Sequence, residues 1–243
     1  MITCINDSIT IIFAQMYTLT MRDLNIKIQV NPELYLKNPD STELGRNIIL
    51  NSIVLIDTLG FETFTFKKLS IEINSPESSI YRYFINKHTL LVYLTSWYWS
   101  WIDYRIFLAT LNVESAIEKL AKSINILTEP VLEDDSISYV NEVLLNKIII
   151  KESIKAYHTK DVDEENKKGC FESYKNVVTR VAETVLEINP KFEFSHMLVS
   201  TIAEGAHQQR YFSNHLPMLT DVKKGEDVIS KFYNRLVFKT ISP

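Results

Sequence analysis

Apolar positions recur at helical spacing along most of this chain. From Thr42 onward, Leu44, Ile48, Leu55 and Leu59 share one helix face, and Ile49, Ile53 and Ile56 widen it. Thr42 suits an N-cap and Gly60 a C-terminal stop. Two short helical pieces follow, near 65–72 and 76–83. A long aromatic helix runs from near Asn86 to about Leu108. Another starts after Asn112, taken as its cap, and ends at Thr128-Glu129-Pro130. Ile137, Val140, Leu144 and Ile148 mark the next. A solvated stretch, His158 to Gly169, separates it from a helix carrying Phe171, Tyr174, Val178, Val181 and Val185, which Asn189-Pro190 ends. Ser195 is expected to cap a helix that stops near His215 and Pro217. The last helix is the clearest, with Ile229, Phe232, Tyr233, Leu236 and Val237 at spacings 0, 3, 4, 7 and 8.

The pattern predicts an all-α chain, with a small N-terminal helical unit and a larger C-terminal one. Residues 1–41 are expected to be a partly flexible arm. There Leu24, Ile26, Ile28 and Val30 alternate like a short strand, and Asn31-Pro32 and Asn38-Pro39-Asp40-Ser41 break regular structure. The first helical unit is expected at 42–102 and the second at 103–243.

Composition narrows the class. The chain has 243 residues, 46% hydrophobic and 23% charged, enough for a sizeable core. Gly 5 and Pro 7 leave little for Gly-rich phosphate loops or a turn-rich β sandwich. The formal charge is −4, so a globally basic surface is excluded while a local basic face is not. Cys4 and Cys170 supply neither a disulfide framework nor a zinc cluster, which fits a reducing compartment. The longest uncharged aromatic run, His88 to Ile102, has 15 residues, below the ~18 of a membrane span. No Lys or Arg precedes Arg22, so a signal peptide is not expected. Met16 and Met21 are candidate starts of translation, Met21 preferred.

The stretch from Gly60 to Leu91 carries the functional information. Thr65 can cap the first short helix, with Leu69 and Ile73 pointing inward. Asn74 sits at the turn, where it tolerates a left-handed conformation better than most residues. Ser75 can cap the second helix, and Pro76 fits its first turn. Ile80 and Phe84 face the core. The spacing predicts a helix-turn-helix whose second helix has the size that enters a major groove.

This segment resembles the N-terminal domain of the TetR family of transcriptional regulators. The resemblance rests on Gly60-Phe61, Thr63-x-Thr65, Ile73-Asn74-Ser75-Pro76, Ile80-Tyr81-Arg82-Tyr83-Phe84 and Lys87, and covers about residues 42–102. Asn74 stands where the family usually has Gly, and Ser70 and Ser78 stand at other small-residue positions. The resemblance implies that Thr65, Lys67, Tyr83 and Lys87 hold backbone phosphates, with Lys68 on the same face. It implies that Ser78, Ser79 and Tyr81 approach base edges or thymine methyls. Glu77 could accept from cytosine N4, and Arg82 reads a base or a phosphate. The plain alternative is that Tyr81 and Tyr83 are wall residues of an amphipathic helix. Between 42 and 90 the charges cancel: Arg46, Lys67, Lys68, Arg82 and Lys87 oppose Glu43, Asp57, Glu62, Glu72 and Glu77. Affinity for DNA then depends on how those cations are spread, on Arg22, Lys27 and Lys37 in the arm, and on dimeric avidity.

The resemblance further implies a C-terminal domain that binds a small-molecule effector and dimerises through the last two helices. The aromatics of 91–107 fall on every helix face and read first as core packing. Their sharper reading is a ligand pocket lined by Trp97, Trp101 and Tyr104, with Arg105 as polar anchor. Thr201, Ala203, Gly205 and Ala206 would let two helices approach closely at a dimer interface. His196, His207 and His215 lack metal-ligand spacing, and no catalytic signature is present. The expectation is a cytoplasmic, ligand-released dimeric repressor with double-stranded DNA, itself and an effector as partners, without cofactor, metal, enzymatic activity or membrane. The alternative is a helical ligand-binding or protein-interaction module with a degenerate helix-turn-helix.

Overall fold

The computed structural model describes residues 28–132, 139–223 and 226–242, and regular structure among them is entirely helical. Helix α1, Glu43–Leu59, starts where the Thr42 side chain accepts the Gly45 N–H, and ends at Gly60 with φ 76°. Ile48, Ile49, Ile53 and Ile56 are buried beneath it. Helices α2, Phe66–Glu72, and α3, Glu77–Ile80, form the two short pieces. Helix α4, Lys87–Thr110, is capped by Asn86, whose side chain accepts the Thr89 N–H. It is buried on all faces from Leu90 to Trp99, as its aromatic content predicts. Residue 102 lies inside α4, so both units share this one helix.

The C-terminal body is built round the second half of α4. It contains α5, Ala116–Thr128, α6, Glu142–Glu152, α7, Ile154–Tyr157, α8, Val162–Lys167, α9, Glu172–Ile188, α10, Ser195–His215, and α11, Ile229–Ile241. Helices α5, α6 and α9 pack on α4; α10 lies across α9, α5 and α6; and α11 covers α5 and α10. No helix among the described residues is long and apolar enough to cross a membrane.

Several local expectations change. Ser115, not Asn112, caps α5 by accepting the Glu118 N–H. Ser195 is the first residue of α10 rather than its cap, because Phe194 takes the cap position without a side-chain bond. The solvated stretch, His158 to Gly169, contains α8, which buries nothing and so carries no apolar period to reveal it. Ile137 lies outside the described residues.

Residues 28–41 run as a packed strap. Ile28 and Leu34 are buried. Two 3₁₀ turns, Pro32–Leu34 and Pro39–Ser41, begin where Asn31 and Asn38 accept the N–H groups two residues on. The Leu36 N–H reaches the Tyr83 carbonyl at 2.8 Å, and the Asn31 amide reaches the Lys168 carbonyl at 2.9 Å. The alternation at Ile28 and Val30 is therefore burial without strand pairing. Leu24, Ile26, Arg22, Lys27 and the candidate starts Met16 and Met21 lie outside the described residues.

Candidate nucleic-acid interface

The turn between α2 and α3 has the backbone that its sequence requires. Asn74 is the one non-glycine residue with positive φ among the described residues, at 47°. The Ser75 N–H closes the turn on the Ser70 carbonyl at 3.0 Å. Thr65 caps α2 by accepting the Lys68 N–H. The expected cap of α3 by Ser75 does not form: Pro76 occupies the cap position, with no side-chain bond. Helix α3 is also shorter than the expected 76–83, because Tyr81 to Tyr83 continue it only as a turn. Phe64, Leu69, Ile80 and Phe84 are wholly buried and fix α2 and α3 on α1 and α4.

One face of this unit remains open. Thr65, Lys67, Lys68, Ser78, Tyr81 and Arg82 are exposed, and Glu77 and Ser79 are half-buried. The Tyr81 ring stands edge-on to Phe66 at 5.1 Å, and its hydroxyl points to Glu77 at 3.4 Å. Tyr81 is thus both a wall residue and an exposed hydroxyl. The Lys68 ammonium turns back to the Thr63 carbonyl at 2.9 Å. Lys67 and Arg82 form no ion pair, which leaves them as the free cations of this face among the described residues.

Two members of the expected phosphate set sit deeper. Tyr83 is buried, with its hydroxyl against Thr42 Oγ1 at 2.7 Å and the Lys37 ammonium over its ring. Lys87 Nζ reaches three carbonyls, of Phe61 and Glu62 at 3.0 Å and of Phe64 at 3.2 Å. An ammonium has three donor hydrogens, so this arrangement uses them all. In this conformation Lys87 fastens the α1–α2 loop and offers a phosphate its charge rather than a hydrogen bond.

The cancelled charge of 42–90 has a structural counterpart that sequence spacing does not reveal. Lys151 on α6 lies 3.7 Å from Asp57, and Lys155 on α7 lies 2.8 Å from both Glu62 and Glu152. Lys155 pulls the Glu62 carboxyl below its usual range. Two of the five carboxylates in the first unit thus face cations of the second. Glu152 also accepts the Phe61 N–H at 3.2 Å. This clasp joins the loop before α2 to the α6–α7 junction.

The expected ligand pocket is closed. Trp97 and Trp101 are buried and stack on each other at 6.5 Å. The Arg105 guanidinium lies 4.9 Å over the Trp101 ring and pairs with Glu129 at 2.7 Å. Tyr104 is half-buried and borders a cavity of about 350 Å³ with Ile28, Asp103, Phe107 and Arg180. Trp97 and Trp101, closed on each other, are not among the residues lining that cavity. A second polar cluster, absent from the sequence reading, joins Tyr98, Asn146 and His207.

The small residues of α10 serve the chain itself. Ala203 and Ala206 are buried in its own core. A Cβ at Gly205 would overlap the Tyr233 hydroxyl, so the glycine admits α11. The α11 stripe divides: Ile229, Tyr233 and Val237 point inward, while Phe232 and Leu236 are exposed.

No protein-family profile and no curated protein sequence matches the chain. Solved structures do. A tetR-family regulatory protein from Rhodococcus RHA1 aligns with TM-score 0.56 at 12% identity, over 82% of this chain and 97% of that one. AibR, solved with isovaleryl coenzyme A and operator DNA, aligns with TM-score 0.53 at 11% identity, over 80% and 97%. The superantigen PfiT aligns with TM-score 0.54 at 10% identity, over 84% and 97%. Identities this low speak to the fold alone, and the fold of this chain is that of the TetR-type regulators.

Proposed function

We propose that the protein is a sequence-specific DNA-binding transcriptional regulator, a twofold dimer acting in the cytoplasm as a ligand-released repressor. One observation carries the reading. The helix-turn-helix is held rigid by wholly buried Phe64, Leu69, Ile80 and Phe84, and its opposite face presents Lys67, Ser78, Tyr81 and Arg82 to solvent. In this reading Lys67 and Thr65 meet phosphates. Ser78, Ser79, Tyr81 and Glu77 meet base edges, and Arg82 meets either. Lys68, Tyr83 and Lys87 shape the head, and the two lysines add charge.

Dimerisation through α10 and α11 is supported by their exposed apolar side chains, Met197, Phe232 and Leu236. A twofold arrangement gives two heads for a palindromic site. The clasp of Glu152 and Lys155 on Phe61 and Glu62 is a contact through which the body can reorient the head. An effector that favours one arrangement of this clasp shifts the population by its differential affinity.

Selection from random-sequence duplexes tests the proposal. A recovered palindromic consensus supports it. Recovery of no enriched sequence at low salt contradicts it and leaves the protein-interaction alternative.

A further inference from the structure

The strap of residues 28–41 is a second connection between the helical body and the head, beside α4. It runs antiparallel to α4: Gln29 meets Ser100, Tyr35 meets Tyr93, and Leu36 meets Tyr83 beyond the start of the helix. On the body, the Ser100 hydroxyl donates to the Gln29 carbonyl at 3.2 Å, and the Asn31 amide donates to the Lys168 carbonyl at 2.9 Å. A polar cavity of about 410 Å³, lined by Ser96, Ser173 and Asn176, lies beside Gln29 and Asn31. This end of the strap is thus held by hydrogen bonds as well as by buried Ile28.

The other end is fitted to the start of α1. A Cβ at Gly45 would overlap the Pro39 carbonyl, so this glycine admits the strap. Arg46 donates to the Asp40 carbonyl at 2.7 Å, and the Asp40 carboxylate accepts the Tyr139 hydroxyl from the segment before α6. Asp40 thereby joins α1 of the head to the body. The clasp of Glu152 and Lys155 holds the opposite end of α1, at Phe61 and Glu62. The two attachments bracket a helix of 17 residues, about 25 Å long. Helix α1 also packs on α6, and directional bonds at its two ends fix where on α6 it rests. Relative motion is the default for units joined by a small interface, and bonds at both ends of α1 oppose swing and twist together.

We infer that the strap is a tether that sets the orientation of the reading head, with Asn31 and Tyr139 as positioning residues for DNA binding. The inference rests on the reading of the protein as a dimeric regulator. In a twofold dimer, the orientation of each head decides which spacing of half-sites both can meet. One base pair added at the centre of a palindrome turns one half-site by about 34° relative to the other. Tethered heads reject that duplex, whereas heads released from the strap follow it.

Two conservative variants cut the tether at different places. Asn31→Asp keeps the oxygen that accepts the Glu33 N–H and loses the donor to Lys168. Tyr139→Phe keeps the ring and loses the donor to Asp40. The first measurement needs no DNA. It is the distance distribution between spin labels on the full chain at Glu72→Cys in α2 and Lys191→Cys after α9, both exposed positions, with Cys4→Ser and unlabelled chain in excess. The distribution is expected to be broader in each variant than in the parent. The second measurement compares a selected palindromic duplex with the same duplex carrying one added central base pair. The parent's preference for the first is expected to fall about fivefold in each variant, the worth of one hydrogen bond. A purely structural role would instead weaken binding to both duplexes alike. Unaltered distance distributions, or a preference equal to the parent's, overturn the inference. A broadened distribution without any recovered consensus keeps the tether and removes the regulator reading. A recovered consensus with unaltered distributions does the reverse.

Discussion

Glu152 Oε1 accepts the backbone N–H of Phe61 at 3.2 Å, across 91 positions of sequence. The same carboxylate pairs with Lys155, and Lys155 with Glu62. Glu152 is largely buried, whereas the Glu62 side chain is exposed. Removing Glu152 strands the Phe61 N–H and leaves Lys155 with Glu62 alone. Glu152→Ala is expected to lower unfolding free energy by about 1–3 kcal/mol, the cost of leaving a buried donor unmade. Glu62→Ala is expected to leave the urea midpoint almost unchanged, since exposed pairs contribute little. Equal losses in the two variants would place the strength of the clasp in its ion pair instead.

Asn74 provides a test of the turn. Its φ of 47° suits glycine better than any residue with a Cβ. Asn74→Gly is expected to be neutral or slightly stabilising in thermal unfolding. Asn74→Val is expected to cost about 1–2 kcal/mol, because a branched Cβ crowds the left-handed conformation. Equal midpoints for the two variants would show that the turn does not hold this backbone in solution.

The acid limb of stability is expected to depend on His207. Burial holds its ring at about 4, below the ordinary value near 6.5. The unfolded chain therefore takes up the proton first as pH falls. Stability from this group is complete above about pH 6.5 and is lost toward pH 4, by up to roughly 3 kcal/mol. Glu204 works in the opposite sense: its raised carboxyl adds stability at low pH that is lost as pH rises. Urea midpoints at pH 7 and pH 4.5 should converge in His207→Gln and diverge in the wild type. An unchanged gap in the variant would assign the acid limb to other groups.

The exposed half of the α11 stripe predicts the assembly. Phe232→Glu is expected to shift sedimentation from dimer to monomer while leaving helicity unchanged, because Phe232 is exposed within the chain. A wild-type chain that sediments as a monomer at micromolar concentration would contradict the twofold arrangement.

The helices were legible where apolar spacing repeats over three or more turns, as in α1 and α11. Asn74 was legible as well, because few residue types accept its backbone. The reading failed where a polar side chain had more than one local use. Ser75, Asn112 and Ser195 all suit caps, and tertiary packing chose Pro76, Ser115 and Phe194 instead. Contacts distant in sequence were not legible at all. Lys151 and Lys155 facing Asp57 and Glu62 offset the carboxylates of the head, and Lys87 commits its donors to three carbonyls, without altering any local pattern. Aromatic content in α4 announced a buried helix. It could not separate Trp97 and Trp101, closed on each other, from Tyr98, which joins the His207 chain.

The salt dependence of duplex binding by the wild type and Arg82→Ala tests the central claim most directly. With a selected duplex, log affinity of the wild type should fall steeply and linearly with log salt. The variant should bind more weakly with a slope smaller by about one per head, if Arg82 meets a phosphate, or with an unchanged slope and relaxed sequence preference, if it meets a base. Wild-type binding that is absent at the lowest salt, or that ignores salt altogether, would contradict the account.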